Sequence, residues 1–358
     1  MSKTGWPISL GKWLAMAWFC TACYLGGAQA SEITGCTKKN VTESRSVIDM
    51  AGRTVVIPRR IDRIATIGPV PVINSYLFTL GAGGKIVNGL PHFALTRKWR
   101  VQTVLAPHLI GQPVLQGPSR EVNMEVVLKL SPDVMITMGP WNAKSFENAG
   151  IPIISLEWKN TSDIKANMKL LGSVLNRASR SDAYLRYFEN TINRVRQGLK
   201  GVPEKSRPKV LYFDPSTLTT PLVIADWWIE EAGGRSVTAG ISRSGNVRYS
   251  HEQVLLWNPD IMIVPGQEQI NMVYRDRRLA KTGAVLNKKV YAIPVGAHPW
   301  SHRTAEQPLT VLWAAKTFFP GRFGQVSMER EVQTFYRRFF DHKLSGEDTR
   351  KILTGDAG

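Results

Sequence analysis

Cysteine is scarce in this chain of 358 residues, which contains only Cys20, Cys23 and Cys36. Three thiols cannot form a disulfide framework, and a protein of this length can bury a core without one. Long apolar runs are missing too, because the one apolar stretch, residues 13–25, is shorter than a membrane-spanning helix requires. We therefore predict a globular protein of two domains or two lobes.

Acidic residues are also few, with 28 Asp and Glu against 46 Lys and Arg, which gives a net charge of +18. Such a surface attracts nucleic acid, a membrane surface or an acidic ligand. The basic residues are scattered, however, and form neither a long basic helix nor an aromatic–basic stripe of the kind that binds RNA. We therefore expect no nucleic-acid partner.

The first thirty residues have the pattern of an export signal. Lys3 and Lys12 precede the apolar stretch, and Ala28-Gln29-Ala30 supplies small residues for cleavage. We predict a cleavable signal peptide over residues 1–30 and a periplasmic location; an N-terminal anchor helix is the alternative. A lipid anchor at Cys23 stays open but is not favoured, because no large aliphatic residue stands three positions before it.

Beyond this segment, strands alternate with helices, which is typical of an α/β protein with largely parallel sheets. One short strand is expected at 85–88. Between residues 161 and 200 apolar residues follow helical spacing without proline, so this stretch holds one long helix or two in series. The predicted organisation is a signal peptide (1–30), a flexible leader (31–46), an N-terminal α/β lobe (47–160), a helical segment that includes the lobe-spanning helix (161–200), a C-terminal α/β lobe (201–345) and a tail (346–358).

An internal repeat relates the two lobes. Glu125-Val-Val-Leu-Lys-Leu-Ser-Pro-Asp-Val-Met-Ile136 and Glu252-Gln-Val-Leu-Leu-Trp-Asn-Pro-Asp-Ile-Met-Ile263 share seven residues at a constant offset of 127. Each copy predicts a helix that a proline ends, followed by a buried strand. Asn123 and Ser250 are good N-caps, which places each glutamate in a first helical turn. The glutamates either favour the helix dipole and nothing more, or form a pair of carboxylates presented to one partner.

Several short motifs occur in the order found in one protein family. The chain resembles the helical-backbone periplasmic substrate-binding proteins of ABC importers, those for iron–siderophore, haem, cobalamin and related metal chelates. The resemblance covers about residues 46–340. It depends on Asp49-Met-Ala-Gly-Arg-Thr-Val-Val-Ile-Pro58, Arg63-Ile-Ala-Thr-Ile67, the two repeat copies, Glu230-Glu-Ala-Gly-Gly234, Lys289-Val-Tyr-Ala-Ile-Pro294 and Leu312-Trp-Ala-Ala-Lys316.

The resemblance implies an architecture and two partners. Two α/β lobes would be joined by one long rigid helix, with the ligand bound in the cleft between the lobes. Glu125 and Glu252, one from each lobe, would dock onto arginines of an ABC permease at the inner membrane. The other partner would be a small-molecule metal chelate, no further cofactor is implied, and we expect the chain to act as a monomer.

Ligand contacts in this family come from loops at strand ends, and seven residues of this chain are candidates on that ground. Aromatic rings suit a flat or greasy chelate, and arginines bind its carboxylates or catecholates in a bidentate manner. The predicted ligand-binding residues are His92, Trp141, Trp227, Arg243, His298, Trp300 and Arg303.

Direct metal ligation by the protein is left open. His298-x-x-x-His302 lacks the glutamate of the metalloprotease motif and contains Pro299, so it is not a zinc-protease helix. A lone loop histidine is more often a hydrogen-bonding group than a ligand. The sequence also has no His-rich loop of the kind that would favour a bare cation.

Enzyme motifs find little support. Gly240-Ile-Ser-Arg-Ser-Gly245 has the wrong spacing for a nucleophile elbow, and Gly81-Ala-Gly-Gly84 follows a helix instead of opening one. We therefore expect a carrier and not an enzyme, one that captures an anionic metal chelate of the ferric siderophore type. The alternatives are a nickel or cobalt chelate, haem, cobalamin or molybdate and, less favoured, an exported enzyme.

Overall fold

The computed structural model describes residues 43–117, 121–139, 143–158, 161–220, 224–241 and 247–356. The predicted signal peptide and residues 31–42 of the predicted leader lie outside these ranges, as do Trp141 and Arg243. The first strand, β1, spans Ser44–Ile48, so the last residues assigned to a flexible leader are part of the folded chain.

The first lobe is built on a parallel sheet. Its elements in chain order are β1 (Ser44–Ile48), β2 (Thr54–Pro58), β3 (Ile64–Thr66), α1 (Val70–Thr79), α2 (Arg100–Leu105), α3 (Met124–Leu130), β4 (Val134–Met138), α4 (Ala143–Asn148) and β5 (Ile153–Leu156). Strands β3, β4 and β5 pair in that order, and all their residues are buried, as expected for a sheet covered on both faces. Strands β1 and β2 form an antiparallel hairpin.

The strand predicted at 85–88 is not formed, and this prediction is wrong. Gly83–Lys85 form a turn of 3-10 helix, and Ile86 joins the sheet through a single bridge to Ile64. The backbone amide of Thr66, which a fourth strand would otherwise satisfy, donates to Oδ1 of Asn88 at 2.7 Å. A side chain thus replaces the strand as a hydrogen-bond partner.

The second lobe repeats the α/β pattern after two helices in series, α5 (Asp163–Val174) and α6 (Ala178–Gly198). Its elements are β6 (Lys209–Tyr212), β7 (Thr219–Thr220), α7 (Ile224–Glu231), β8 (Arg235–Ser236), β9 (Val247–Arg248), α8 (His251–Trp257), β10 (Ile261–Val264), α9 (Gln267–Arg275), α10 (Gly283–Leu286), β11 (Val290–Ala292), α11 (Gln307–Phe318), α12 (Met328–Phe339) and α13 (Gly346–Thr354). The parallel sheet has the order β11-β10-β6-β8. The segment predicted as a tail therefore contains a helix, α13.

Helix α6 connects the two lobes. Its 21 residues span about 30 Å, and one face buries Tyr184, Phe188, Ile192 and Val195 at helical spacing. It packs on α1 of the first lobe and on α7 and α11 of the second. One parallel sheet precedes this helix in the chain and the other follows it, so the predicted arrangement of two α/β lobes joined by a long helix is confirmed. Within the described ranges, no helix is both long and apolar enough to cross a membrane.

The internal repeat forms the same unit in both lobes. Helices α3 and α8 begin at side-chain caps, where Asn123 accepts a backbone amide at 3.1 Å and Ser250 accepts one at 3.3 Å. They end at residues in the left-handed region, Ser131 with φ 43° and Asn258 with φ 44°, immediately before the repeated proline. The caps expected from the sequence are thereby confirmed.

The repeated Pro-Asp pairs join each helix to the neighbouring strand. Oδ2 of Asp133 accepts from the amide of Arg63 at 2.9 Å, and Oδ2 of Asp260 accepts from the amide of Lys209 at 2.7 Å. The side chains of Arg63 and Lys209 in turn donate to the last carbonyl groups of α3 and α8, at 2.6 and 2.8 Å. Most of the repeat is therefore structural, but Glu125 and Glu252 take no part in these contacts.

Candidate functional site

The loop between β11 and α11 meets the first lobe at the ends of its strands. Nε of Arg303, in this loop, lies 3.3 Å from the sulfur of Met138, the last residue of β4. The guanidinium also lies 5.8 Å from the ring centroid of Trp158, two residues beyond β5. Because the carboxyl ends of parallel strands share one sheet edge, these contacts place Arg303 between the lobes, at the edge where ligands bind in such sheets.

Arg303 and Lys98 bring positive charge to this place without a paired carboxylate. Among the described residues, neither has a carboxylate oxygen within the 4.0 Å of an ion pair. Burial lowers the pKa of both side chains, while the negative charge of Asp214 acts in the opposite direction on the pKa of Lys98. A cation withdrawn from water without a counter-ion is unfavourable, so an anion that entered here would gain strong interactions.

Two histidine rings lie beside these cations. The ring centroids of His298 and His302 are 4.9 Å apart, and Nδ1 of His298 lies 3.2 Å from the carbonyl oxygen of Pro299. That nitrogen is the donor, so Nε2 of His298 keeps its lone pair. Burial lowers the pKa of His298 well below its usual value and that of His302 to about 4, assisted by the charge of Arg303. Both rings are therefore neutral at pH 7.

The two histidines do not form a complete metal site. In the part of the chain that the structure describes, no three His, Cys, Asp or Glu side chains form a group that could hold a metal ion. A metal bound by His298 and His302 would have to arrive with further ligands of its own.

An aromatic row runs from the surface to the histidines. Trp99 makes an edge contact with His298, with centroids 4.8 Å apart, and Phe93 makes one with Trp99 at 5.6 Å. Phe93 is exposed, and His92 is exposed beside it in the 3-10 helix His92–Leu95. The predicted residue His92 thus lies next to the outer end of this row.

Buried hydrogen bonds from other elements fix the backbone of the loop. The hydroxyls of Tyr76 on α1 and Tyr184 on α6 donate to loop carbonyl groups at 3.0 and 2.7 Å. Nε2 of Gln102 on α2 donates to another loop carbonyl at 2.6 Å. The first lobe, the connecting helix and the loop are thereby held together, which orients Arg303 and the histidines before any ligand arrives.

Glu306 is a buried carboxyl group at the base of the same loop. Its Oε1 accepts from Nε1 of Trp300 at 3.1 Å and from the hydroxyl of Tyr336 at 2.7 Å. Burial raises the pKa of Glu306 to about 7, although these donors act to lower it. A Cβ atom at Gly296 would overlap this carboxyl group, so the loop requires glycine there.

Trp300 requires a correction to the predicted site. Its ring is fully buried and donates to Glu306, so it offers no surface to a ligand. The loop turns inward at this position, and the indole joins the core instead of the interlobe edge. Of the seven predicted residues, the structure brings together Arg303 and His298.

Trp227 lies at a different place from Arg303. Its ring stacks on Phe188 of α6, with centroids 6.1 Å apart. It lines a surface pocket of about 300 Å³ formed by α6, α7 and the loop before β6, together with Arg196, Leu199, Arg207, Glu230 and Glu231. This pocket adjoins the connecting helix and not the strand ends.

The sequence predictions missed four residues of the interlobe site: Lys98, Trp99, Met138 and Trp158. Two of them had a signal in the apolar runs that form β4 and β5, because Met138 ends the first run and Trp158 closely follows the second. Lys98 and Trp99 had none, since they lie in a 3-10 turn, Arg97–Trp99, within an irregular segment.

The two repeat glutamates are exposed in the first turns of α3 and α8. Oε1 of Glu125 lies 2.7 Å from Nζ of Lys129, one helical turn further on. The hydroxyl of Ser250 and the backbone amide of Glu252 hold the pKa of the Glu252 carboxyl below its usual range. Both carboxylates are therefore accessible to a partner at neutral pH.

Comparison with known proteins gives a consistent result. A family model described as periplasmic binding protein matches residues 75–295, more than half of the chain. The molybdate-binding protein MolA of Haemophilus influenzae is 23% identical over 333 residues, which covers 83% of this chain and 91% of that protein. The structure of MolA bound to molybdate superposes with a TM-score of 0.74 at 22% identity, covering 84% of this chain and 99% of that one.

Other solved structures share the fold. A periplasmic solute binding protein from Veillonella parvula has a TM-score of 0.76 at 25% identity, covering 87% of this chain and 97% of that one. Helicobacter pylori CeuE, in a Ni-His complex, has a TM-score of 0.68 at 20% identity, covering 87% of this chain and 99% of that one.

Proposed function

Because this chain belongs to the periplasmic binding protein family of ABC importers, we propose that it captures an anionic, metal-containing solute and delivers it to an importer permease. The observation that carries the proposal is Arg303, a half-buried cation that lies between the lobes without a carboxylate partner among the described residues. Lys98 adds a second positive charge, which acts together with that of Arg303 on His298 and His302. Such a site attracts anions and rejects bare cations.

Within this class, the proposed solute is a small tetrahedral oxyanion of the molybdate type. Guanidinium and ammonium N–H groups donate to such an anion, and the His298 ring, whose second nitrogen carries a lone pair, would donate to it only once protonated. Arg303 has only the weakly accepting sulfur of Met138 as its partner at the strand ends, and a compact anion could take the place of that partner. The description of the relative MolA as molybdate-binding supports the same choice.

A ferric or nickel chelate is the second candidate. The free Nε2 of His298 and the nearby ring of His302 could complete the coordination of a metal that arrives with its chelator. This arrangement favours the chelate predicted from the sequence only if a histidine binds the metal directly. Haem and cobalamin belong to the same candidate class.

Isothermal titration of the ligand-free protein distinguishes the candidates. We expect one molybdate bound per chain and a much lower affinity for sulfate. Ferric catecholate, nickel–histidine and haem should give no heat of binding. Native mass spectrometry with metal analysis of protein isolated from the periplasm checks the same point without added ligand. Stoichiometric binding of a chelate with no response to molybdate would instead support the second candidate, and turnover of a substrate would contradict a carrier.

The proposal includes the place where the carrier works. Export by the segment 1–30 would release a monomer into the periplasm, and Glu125 and Glu252 would pair with arginines of the permease. Exposed charges of this kind orient docking without requiring high affinity.

A further inference from the structure

The sulfur of Met138 faces a cation of the other lobe. It accepts from Nε of Arg303 at 3.3 Å, and Met138 is the last residue of β4. Met138 is only 5% exposed, although it lies at the sheet edge where ligands bind in such sheets. A thioether thus holds the place next to Arg303 that the proposed anion would take.

The internal repeat shows that this sulfur is not part of the common core. Met135 on β4 and Met262 on β10 are equivalent in the repeat, and both are fully buried. Met138 corresponds to Pro265, so the second lobe has no sulfur at the end of the equivalent strand. The repeated helix–strand unit therefore does not require methionine at position 138.

Oxidation would change what this sulfur offers to Arg303. A thioether is a weak acceptor, whereas a sulfoxide oxygen is polar and carries the negative end of the S–O dipole. In the reaction with hydrogen peroxide, a sulfur lone pair attacks one peroxide oxygen, an S–O bond forms and the O–O bond breaks. The sulfur loses an electron pair, and the departing hydroxide takes the proton of the transferred oxygen and leaves as water.

Hydrogen peroxide would reach this sulfur by the path of the solute. The side chain of Arg303 is partly exposed, and the proposed anion must approach it to bind. Peroxide is smaller than a tetrahedral oxyanion and carries no charge. A site that admits the anion to Arg303 therefore also admits the oxidant to Met138.

We propose that Met138 is an oxidation site that controls solute binding, because its sulfoxide would bind Arg303 in place of the anion. This inference rests on the proposed function. The sulfoxide oxygen would accept from the guanidinium across the lobes, and its negative dipole end would repel an entering anion. Burial of Arg303 strengthens such a bond, since little water competes for the guanidinium. In the presence of peroxide the carrier would stop capturing its solute.

Peptide mass mapping of the purified, solute-free protein after peroxide treatment tests the reactivity of Met138. Two methionines are internal controls, because Met272 on α9 is 38% exposed and Met262 on β10 is fully buried. We expect one added oxygen at Met272 and at Met138 and none at Met262. If Met138 stayed unoxidised after complete reaction of Met272, the proposal would be overturned.

Protection by the solute tests the position of this sulfur in the site. Saturating molybdate should slow the oxidation of Met138 and leave the rate at Met272 unchanged. Equal rates at Met138 with and without molybdate, in protein that calorimetry shows to be saturated, would place the sulfur outside the binding site and overturn the proposal.

Molybdate affinity, measured by titration calorimetry before and after oxidation, tests the consequence. We expect oxidation of Met138 to weaken binding about ten-fold or more in the wild type. Met138→Leu is the matched control, because it keeps an apolar side chain and removes the oxidisable sulfur. Peroxide should change the affinity of this variant less than about two-fold, whatever its starting value. Equal losses in both proteins would show that oxidation acts elsewhere.

A further variant tests the contact without an oxidant. The amide oxygen of Met138→Gln imitates the polar acceptor of the sulfoxide, so this variant should bind molybdate about ten-fold more weakly than Met138→Leu. Equal affinities of the two variants would contradict the proposed bond to Arg303.

The same titrations separate this inference from the proposed function. A wild-type protein that binds no metal-containing anion before treatment would contradict the proposed function. Anion binding that survives complete oxidation of Met138 would contradict only this inference.

Discussion

Nε of Arg303 lies 3.3 Å from the sulfur of Met138, so a cation of the second lobe has a thioether of the first lobe as its hydrogen-bond acceptor. A thioether is a weak acceptor and does not balance a guanidinium charge. This contact is therefore one that an entering anion would replace. It also marks the point where the two lobes approach each other at the strand ends.

Replacing Arg303 tests whether it binds the solute. We expect Arg303→Gln to weaken anion binding about ten- to hundred-fold, the worth of one charge-assisted hydrogen bond of ~1.5–3 kcal/mol. Arg186→Gln, on the exposed side of α6, removes the same charge away from the site and should change affinity less than two-fold. Titration calorimetry measures both, and equal effects would show that only net charge matters.

The pH dependence of anion binding follows from the histidines. His302, with a pKa of about 4, is neutral in the free protein at pH 7, and a bound anion would raise that pKa. Affinity should therefore increase as the pH falls from 7 towards 4 and level off below the free-state pKa. The double variant His298→Gln plus His302→Gln should lose this increase, and its titration also corrects for protonation of the anion itself. If lowering the pH decreased the affinity of the wild type but not that of the double variant, the role of the histidines in anion binding would be contradicted.

The buried carboxyl group of Glu306 predicts that the stability of the fold decreases as the pH rises. Its pKa of about 7 lies above that of an unfolded glutamate, so the folded state binds the extra proton. This contribution to stability is full below about pH 4.5 and is lost as the pH rises through 7. Relative to Glu306→Gln, the wild type should lose on the order of 2–3 kcal/mol between pH 5 and pH 8. Denaturant unfolding at both pH values measures the difference, and a constant gap would refute it.

Charge reversal tests the proposed docking glutamates together. Glu125→Lys plus Glu252→Lys should abolish solute uptake and leave solute affinity within two-fold. Glu268→Lys plus Glu329→Lys changes the net charge equally at exposed positions on α9 and α12 and should preserve uptake. Loss of affinity in the first variant would exclude a role limited to docking.

Much of the fold could be predicted from the sequence because its signals are local. The apolar runs at 134–138 and 261–264 form buried parallel strands. The side chains of Asn123 and Ser250 cap the predicted helices that precede these strands. The missing strand at 85–88 depends on a distant contact, since only the fold brings Asn88 to the amide of Thr66.

The site was harder to predict than the fold. Position at a strand end selected Arg303 and His298, which the structure brings together, but it cannot tell which way the side chain of a loop residue points. Trp300 turns inward because its indole N–H donates to the buried carboxyl group of Glu306, and that group is itself held by the hydroxyl of Tyr336, thirty-six positions beyond Trp300. The family resemblance was confirmed, whereas the ligand it suggested is now one of two candidates.

The hydrogen bonds that hold the loop between β11 and α11 also oppose separation of the two lobes. Two donors, Tyr76 and Gln102, belong to the first lobe, while the carbonyl groups they bind belong to the second. Moving the lobes apart would leave these buried groups unpaired, at about 1–3 kcal/mol each. Spontaneous opening is then a rare thermal event, and fast unloading requires an outside force on both halves. The proposed docking residues Glu125 and Glu252 belong to separate lobes, so a permease bound to both of them would exert such a force.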